Sequence, residues 1–198
     1  MKKAIIIMSV MLAGAWGHAD EMADMRRDIE ALKREVADLR RLVQGEQNTA
    51  ANTDPKAGIR RRTEEDRKTY TPEQLREIET LYQSANNDLQ NPEAKAALEK
   101  LIKTYPKANR TGCAVQYMGQ MTSGDEQEKY LKLAIAEFGD CYYGNGVQVG
   151  AYARLYLGSR YQKEGKEKEA AALFDEIKKD YPDAVNHKGK RLADLLPK

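Results

Sequence analysis

The stretch Gly150–Pro182, GAYARLYLGSRYQKEGKEKEAAALFDEIKKDYP, decides the fold. Ala153, Tyr156, Leu157 and Tyr161 recur at the spacing of one helix face. A charged, glycine-containing break follows at Lys163–Lys168. A second apolar face then appears at Ala170, Leu173, Phe174, Ile177 and Tyr181, and Pro182 ends it. Two amphipathic helices joined by so short a turn pack antiparallel. Gly158 sits inside the first helix, where it costs about 1 kcal/mol against Ala. The reason to keep it is a close approach of the second helix, with Ala170 as the small partner and Phe174 as the large knob. One hairpin cannot bury its own face, so the rest of the chain has to supply neighbours.

Leu157, Gly158, Tyr161, Ala170, Phe174 and Pro182 stand at offsets that resemble the tetratricopeptide-repeat family, whose units stack into solenoids. Similar units precede this one. Thr71-Pro72-Glu73-Gln74 reads as a capping box with proline at the first helical position. Leu75, Ile78, Leu81, Tyr82, Ala85 and Leu89 follow on one face. Asn91-Pro92 restarts the chain, and Ala94, Leu98, Leu101, Ile102 and Tyr105 form a second face that Pro106 stops. Residues 72–106 are thus a first repeat, with Tyr82 where the family pattern prefers Gly. Asn109–Asp140 is a degenerate middle repeat. There Met118-Gly119 stands in for Leu157-Gly158, Leu131 and Ala134 for Phe174 and Ile177, and Phe138-Gly139 for Tyr181-Pro182. A loop at Tyr142–Gly146 leads to the third hairpin. Val185, Leu192, Leu195 and Leu196 give a terminal capping helix with a polar outer face. The expected fold is all-α: an N-terminal coiled-coil helix, a linker, and a solenoid of about three helical hairpins with a cap.

Ahead of the repeats, residues 1–19 read as a secretory signal peptide. Lys2 and Lys3 precede an apolar run from Ala4 to Ala15, and Gly17 and Ala19 are small residues before a cut at Asp20. The alternative is an uncleaved anchor, but the run is short for a bilayer. No cysteine follows it, so there is no lipoprotein acylation site. The expectation is an exported, periplasmic chain with no integral membrane segment after cleavage. Within a coiled-coil helix at residues 20–45, residues 22–43 carry a heptad seam about 33 Å long as a helix. Ile29, Val36 and Val43 fall at a, and Leu32 and Leu39 at d, which favours a parallel dimer. Arg26, Lys33 and Arg40 at e face Asp28 and Glu35 at g in a parallel pair; in an antiparallel pair like charges meet. The alternative is a lone amphipathic helix lying on its own domain. Residues 46–69, polar and broken by Pro55 and Gly58, read as a flexible linker before a repeat domain at 70–198.

Charge and chemistry narrow the function. The 33 basic and 31 acidic residues leave a net charge of +2, and Lys2 and Lys3 account for all of it. The mature chain is balanced, unlike a nucleic-acid binder. Arg60-Arg61-Arg62 is followed at once by Glu64, Glu65 and Asp66 and reads as self-neutralising. Of two histidines, His18 leaves with the leader, so His187 alone would have to build any triad or multi-histidine metal site. No cofactor, metal or catalysis is expected. Cys113 and Cys141 flank the middle repeat, one near its start and one past its end. In an oxidising compartment they are expected to form a disulfide, worth about 3.5 kcal/mol on the chain-entropy estimate; two separate buried thiols are the alternative.

The repeat resemblance implies a concave wall, lined by the first helix of each hairpin, that holds peptides. Carried over by position, the wall is Arg76, Glu79, Gln83 and Asn86, then Gln116 and Gln120, then Tyr152, Leu155, Ser159 and Gln162. The order of leader, coiled coil, linker and repeats resembles the family of periplasmic cell-division coordinators that work with the Tol-Pal system. That family trimerises through its coiled coil, so the resemblance implies a trimer where the a/d rule implies a dimer. It also implies protein partners in the cell envelope, in division or envelope maintenance. A structural spacer that holds no peptide is the main alternative, and an outer-membrane assembly factor built from similar repeats is another.

Overall fold

A computed structural model describes residues 25–27, 29–36, 55–87 and 92–197. They fall into two compact units, divided between Leu42 and Val43. The leader lies outside the described residues. So do Leu39 and Val43 of the seam. In the first unit residues 25–27 and 29–36 are helical, here called α1. Met25, Ile29, Leu32 and Val36 of α1 are 44–58 % exposed. No described residue of their own unit covers them.

The second unit is an all-α solenoid. Its helices are α2 (Pro55–Thr69), α3 (Pro72–Asn86), α4 (Pro92–Thr104), α5 (Asn109–Met121), α6 (Gly124–Glu137), α7 (Val149–Lys163) and α8 (Glu167–Asp180). A short 3-10 turn at Leu192–Leu195 follows. The α3–α4, α5–α6 and α7–α8 pairs are the three expected hairpins. The capping box at α3 is formed: Gln74 N donates to Thr71 Oγ1 at 3.3 Å, and Thr71 N donates to Gln74 Oε1 at 2.9 Å. The close approach inferred at Gly158 is present too. A Cβ built there would sit 2.5 Å from the Phe174 ring. One repeat earlier Gly119 stands under Leu131, where an added Cβ would lie 2.7 Å from a leucine methyl. This bears out the equivalence of Gly119 with Gly158 and of Leu131 with Phe174.

The stacking pattern decides which face is inner. Between hairpins, α4 packs on α5 and α6 on α7, and the first helices also pack directly on one another, α3 on α5 and α5 on α7. The second helices α4, α6 and α8 do not pack on one another. A stack joined through one layer and splayed in the other curves around the joined layer. Helices α3, α5 and α7 therefore form the concave wall.

Three expectations are corrected. The linker over 46–69 holds a helix, α2, from Pro55 onward. It is mostly polar: buried Gly58 packs on the Tyr142 ring, and charged contacts supply much of the rest. Arg61 and Arg62 reach Asp140 at 3.3 and 3.7 Å. Both Asp66 carboxylate oxygens accept the Asn109 N–H at 3.1 Å, at the start of α5. The terminal capping helix is replaced by a bridged turn, Val185 opposite Arg191, followed by the 3-10 turn. Asn186 Oδ1 accepts the N–H groups of Lys188 and Lys190, and Gly189 takes φ 73°, so the chain reverses instead of winding. The same device stands 43 residues earlier, with Tyr142 bridged to Gln148 and Gly146 at φ 89°. Finally, Cys113 and Cys141 are both buried and both free, not joined as expected. Cys113 Sγ turns to the Tyr142 carbonyl, 3.5 Å away, and Cys141 lies over Gly112.

Candidate functional site

The wall is organised by rings. Tyr82 of α3 stacks on Tyr117 of α5, with centroids 5.8 Å apart and planes 8° from parallel. Tyr117 meets Tyr143 of the first bridged turn at 5.4 Å. Tyr143 meets His187 of the second bridged turn edge to face at 5.0 Å. His187 meets Tyr152 of α7 at 5.1 Å, and Tyr152 meets Tyr156 at 5.1 Å. Six rings thus run without a break from the first hairpin to the third. The two bridged turns make this possible, because each drops one ring into the gap between inner helices.

At the α3–α5 end the rings carry a polar network. The Tyr117 hydroxyl donates to Asn86 Oδ1 at 2.6 Å, and the Tyr82 hydroxyl donates to the same oxygen at 3.2 Å. Asn86 donates to Gln83 at 3.2 Å, and Gln83 donates to Glu79 at 2.5 Å. Glu79 is paired with Arg110 through Nε at 2.8 Å and Nη2 at 3.2 Å. The Arg110 guanidinium also lies over the Tyr82 ring, 4.2 Å from its centroid. Burial pushes the Glu79 carboxyl up, but the bonds from Arg110 and Gln83 outweigh it and hold the group below the usual range. Burial also pushes the Tyr82 and Tyr117 hydroxyls up, so they act as neutral donors. These groups border a cleft of about 300 Å³ with Tyr143, Asn145 and His187. His187 accepts or donates at Nδ1 with the Asn145 amide, 3.0 Å away, and burial lowers its pKa.

At the α7 end lies a second cleft of about 480 Å³. Tyr152, Leu155, Tyr156, Ser159, Arg160 and Lys163 of α7 line it, with Gln127 of α6 and Asn186 and Leu195 of the C-terminal segment.

The residues named from the sequence divide accordingly. Glu79, Gln83 and Asn86 come together in the polar network, and Tyr152, Leu155 and Ser159 share the second cleft. Arg76 is exposed and paired with Glu73 at 2.7 Å, away from both clefts. Gln162 is exposed and lines neither. Gln116 is a correction: it is fully buried and offers nothing to the wall surface. Gln120 is half-buried with its amide nitrogen enclosed. Sequence reasoning missed Tyr82, Tyr117, Tyr143, Arg110 and His187 as site residues. One signal was available: 11 tyrosines against 2 phenylalanines, an excess of rings that carry a hydrogen-bonding tip.

Among the described residues no cluster of three or more His, Cys, Asp or Glu side chains is placed to hold a metal ion. No described helix is long and apolar enough to cross a membrane.

Residues 81–108 and 152–184 match the family model of the tetratricopeptide repeat. The middle hairpin lies outside both matches. No curated protein and no solved structure matches the chain.

Proposed function

We propose, from a chain that carries tetratricopeptide repeats at two positions, that it is an exported scaffold of the periplasm. In this reading the α3–α5–α7 wall holds an extended segment of an envelope protein, and α1 brings copies of the chain together as a parallel dimer or trimer. Repeats of this kind are protein-interaction units. The observation that carries the reading is the open end of the ring row, where half-buried Tyr152 and Tyr156 line the α7 cleft beside exposed His187, while the buried Tyr82, Tyr117 and Tyr143 tie the inner helices together behind it. Rings give apolar contact at little entropic cost, and amides pair with a peptide backbone. The exposed apolar edge of α1, with the e and g charges read above, supports assembly through that helix. A role in division or envelope maintenance follows from the resemblance in domain order.

The test is photocrosslinking in envelope extract from a probe at position 159, inside the α7 cleft. Position 171, exposed on α8, is the control. A scaffold gives a discrete partner from position 159 and none from 171. Equal labelling at both, or none, makes the chain a spacer.

A further inference from the structure

The cleft on α7 has a chemical polarity that identifies the kind of segment it takes. At one end of the α7 stretch Tyr152 and Tyr156 meet edge to face beside Leu155, and Leu195, 44 % exposed, also lines the cleft. At the other end stand Arg160 and Lys163. The lining includes these two cations and no carboxylate. Arg160 is already engaged: Nε donates to Glu164 at 2.6 Å, Nη2 lies 3.5 Å from Glu128, and Nη1 donates to the Gly124 carbonyl. Lys163 has no ion-pair partner among the described residues, so its charge is left for an occupant.

Leu155 and Lys163 lie on one face of α7, eight residues and about 12 Å apart. An extended peptide covers about 3.3 Å per residue, so about 12 Å is three to four of its residues. We infer that the cleft takes an extended peptide segment with a leucine-like side chain and an acidic side chain three or four residues further along. The apolar group packs against Tyr156, Leu155 and Leu195, and the carboxylate meets Lys163. This rests on the reading of the wall as a peptide site and adds which class of sequence fits it.

The test uses fluorescein-labelled Gly-Ser-Leu-Ser-Ser-Glu-Ser with an amidated end, titrated with the full chain and read by anisotropy. Replacing Glu by Lys in the probe should weaken binding about tenfold. Lys163→Glu, on an exposed residue, should reverse that preference while the circular dichroism stays the same. A probe with Leu and Glu adjacent should bind more weakly. Equal binding of the Glu and Lys probes, or an unchanged preference in K163E, overturns the inference. So does stronger binding of a probe with no Glu and a free carboxyl end, which would assign the lysine to a chain terminus. No binding by any probe also overturns it. The photocrosslinking result is independent of these probes, so a partner captured from position 159 keeps the scaffold reading even where the acidic-peptide inference fails.

Discussion

Gly158 shows how far a single residue can be read. Its place inside an apolar face implied a close neighbour, and the Phe174 ring is that neighbour. An alanine there gains about 1 kcal/mol of helix propensity but drives a methyl into a buried ring, an overpacking cost of about 1–3 kcal/mol. Gly158→Ala is therefore expected to lower stability by up to about 2 kcal/mol, and adding Phe174→Leu should recover part of the loss. Urea unfolding midpoints check this; a more stable G158A would show that the ring moves aside freely. Tyr82 is the opposite case. It stands where the repeat pattern prefers glycine, which read only as a departure. In the structure it turns to the next inner helix and stacks on Tyr117, starting the row of rings. Its partner is 35 residues away, and no local spacing reveals such a pair. The same holds for Arg110 over Tyr82 and for His187, the lone histidine, wedged between Tyr143 and Tyr152.

At the scale of the element, the paired helices were legible and α2 was not. Hairpin helices carry apolar residues at the helical period because they bury one face. Ile59 is the only large apolar residue in α2, so its sequence resembles a linker. What holds it is distant: Asp140 for Arg61 and Arg62, the Lys107 carbonyl for Arg62 at 3.0 Å, and the start of α5 for Asp66. A carboxylate at a helix N-terminus is worth about 1 kcal/mol, as for other caps. Asp66→Ala is expected to destabilise α2 by about that amount. Amide exchange over 55–69 should speed up while α7 and α8 keep their protection. Uniform acceleration through the repeats would mean that α2 belongs to one cooperative unit with them. The terminal segment failed for a related reason. Leu192, Leu195 and Leu196 have helical spacing, but Asn186 and Gly189 close a turn before it, and a 3-10 turn follows.

At the scale of the whole molecule, α1 leaves its apolar residues in the open. Ile29, Leu32 and Val36 are 49, 58 and 44 % exposed within their unit. Leu32→Asp places a charge in the centre of the proposed seam. Light scattering should then give the monomer mass, against a multiple of it for the unaltered chain; the same mass for both would remove assembly through α1.

The order of apolar faces, caps and prolines determined the all-α class and the three hairpins, because a helix that buries one face writes its period into the chain. The Gly158–Phe174 contact was legible for the same reason: both partners lie within one hairpin. Only the tertiary structure decided the docked α2, the paired bridged turns, the free thiols and the aromatic row. The docked α2, the thiols and the aromatic row depend on residues whose partners stand tens of residues away, whereas the bridged turns are local and were hidden by the helical spacing of the leucines that follow. Local periodicity records the face a helix buries, not the side chain that will arrive opposite it.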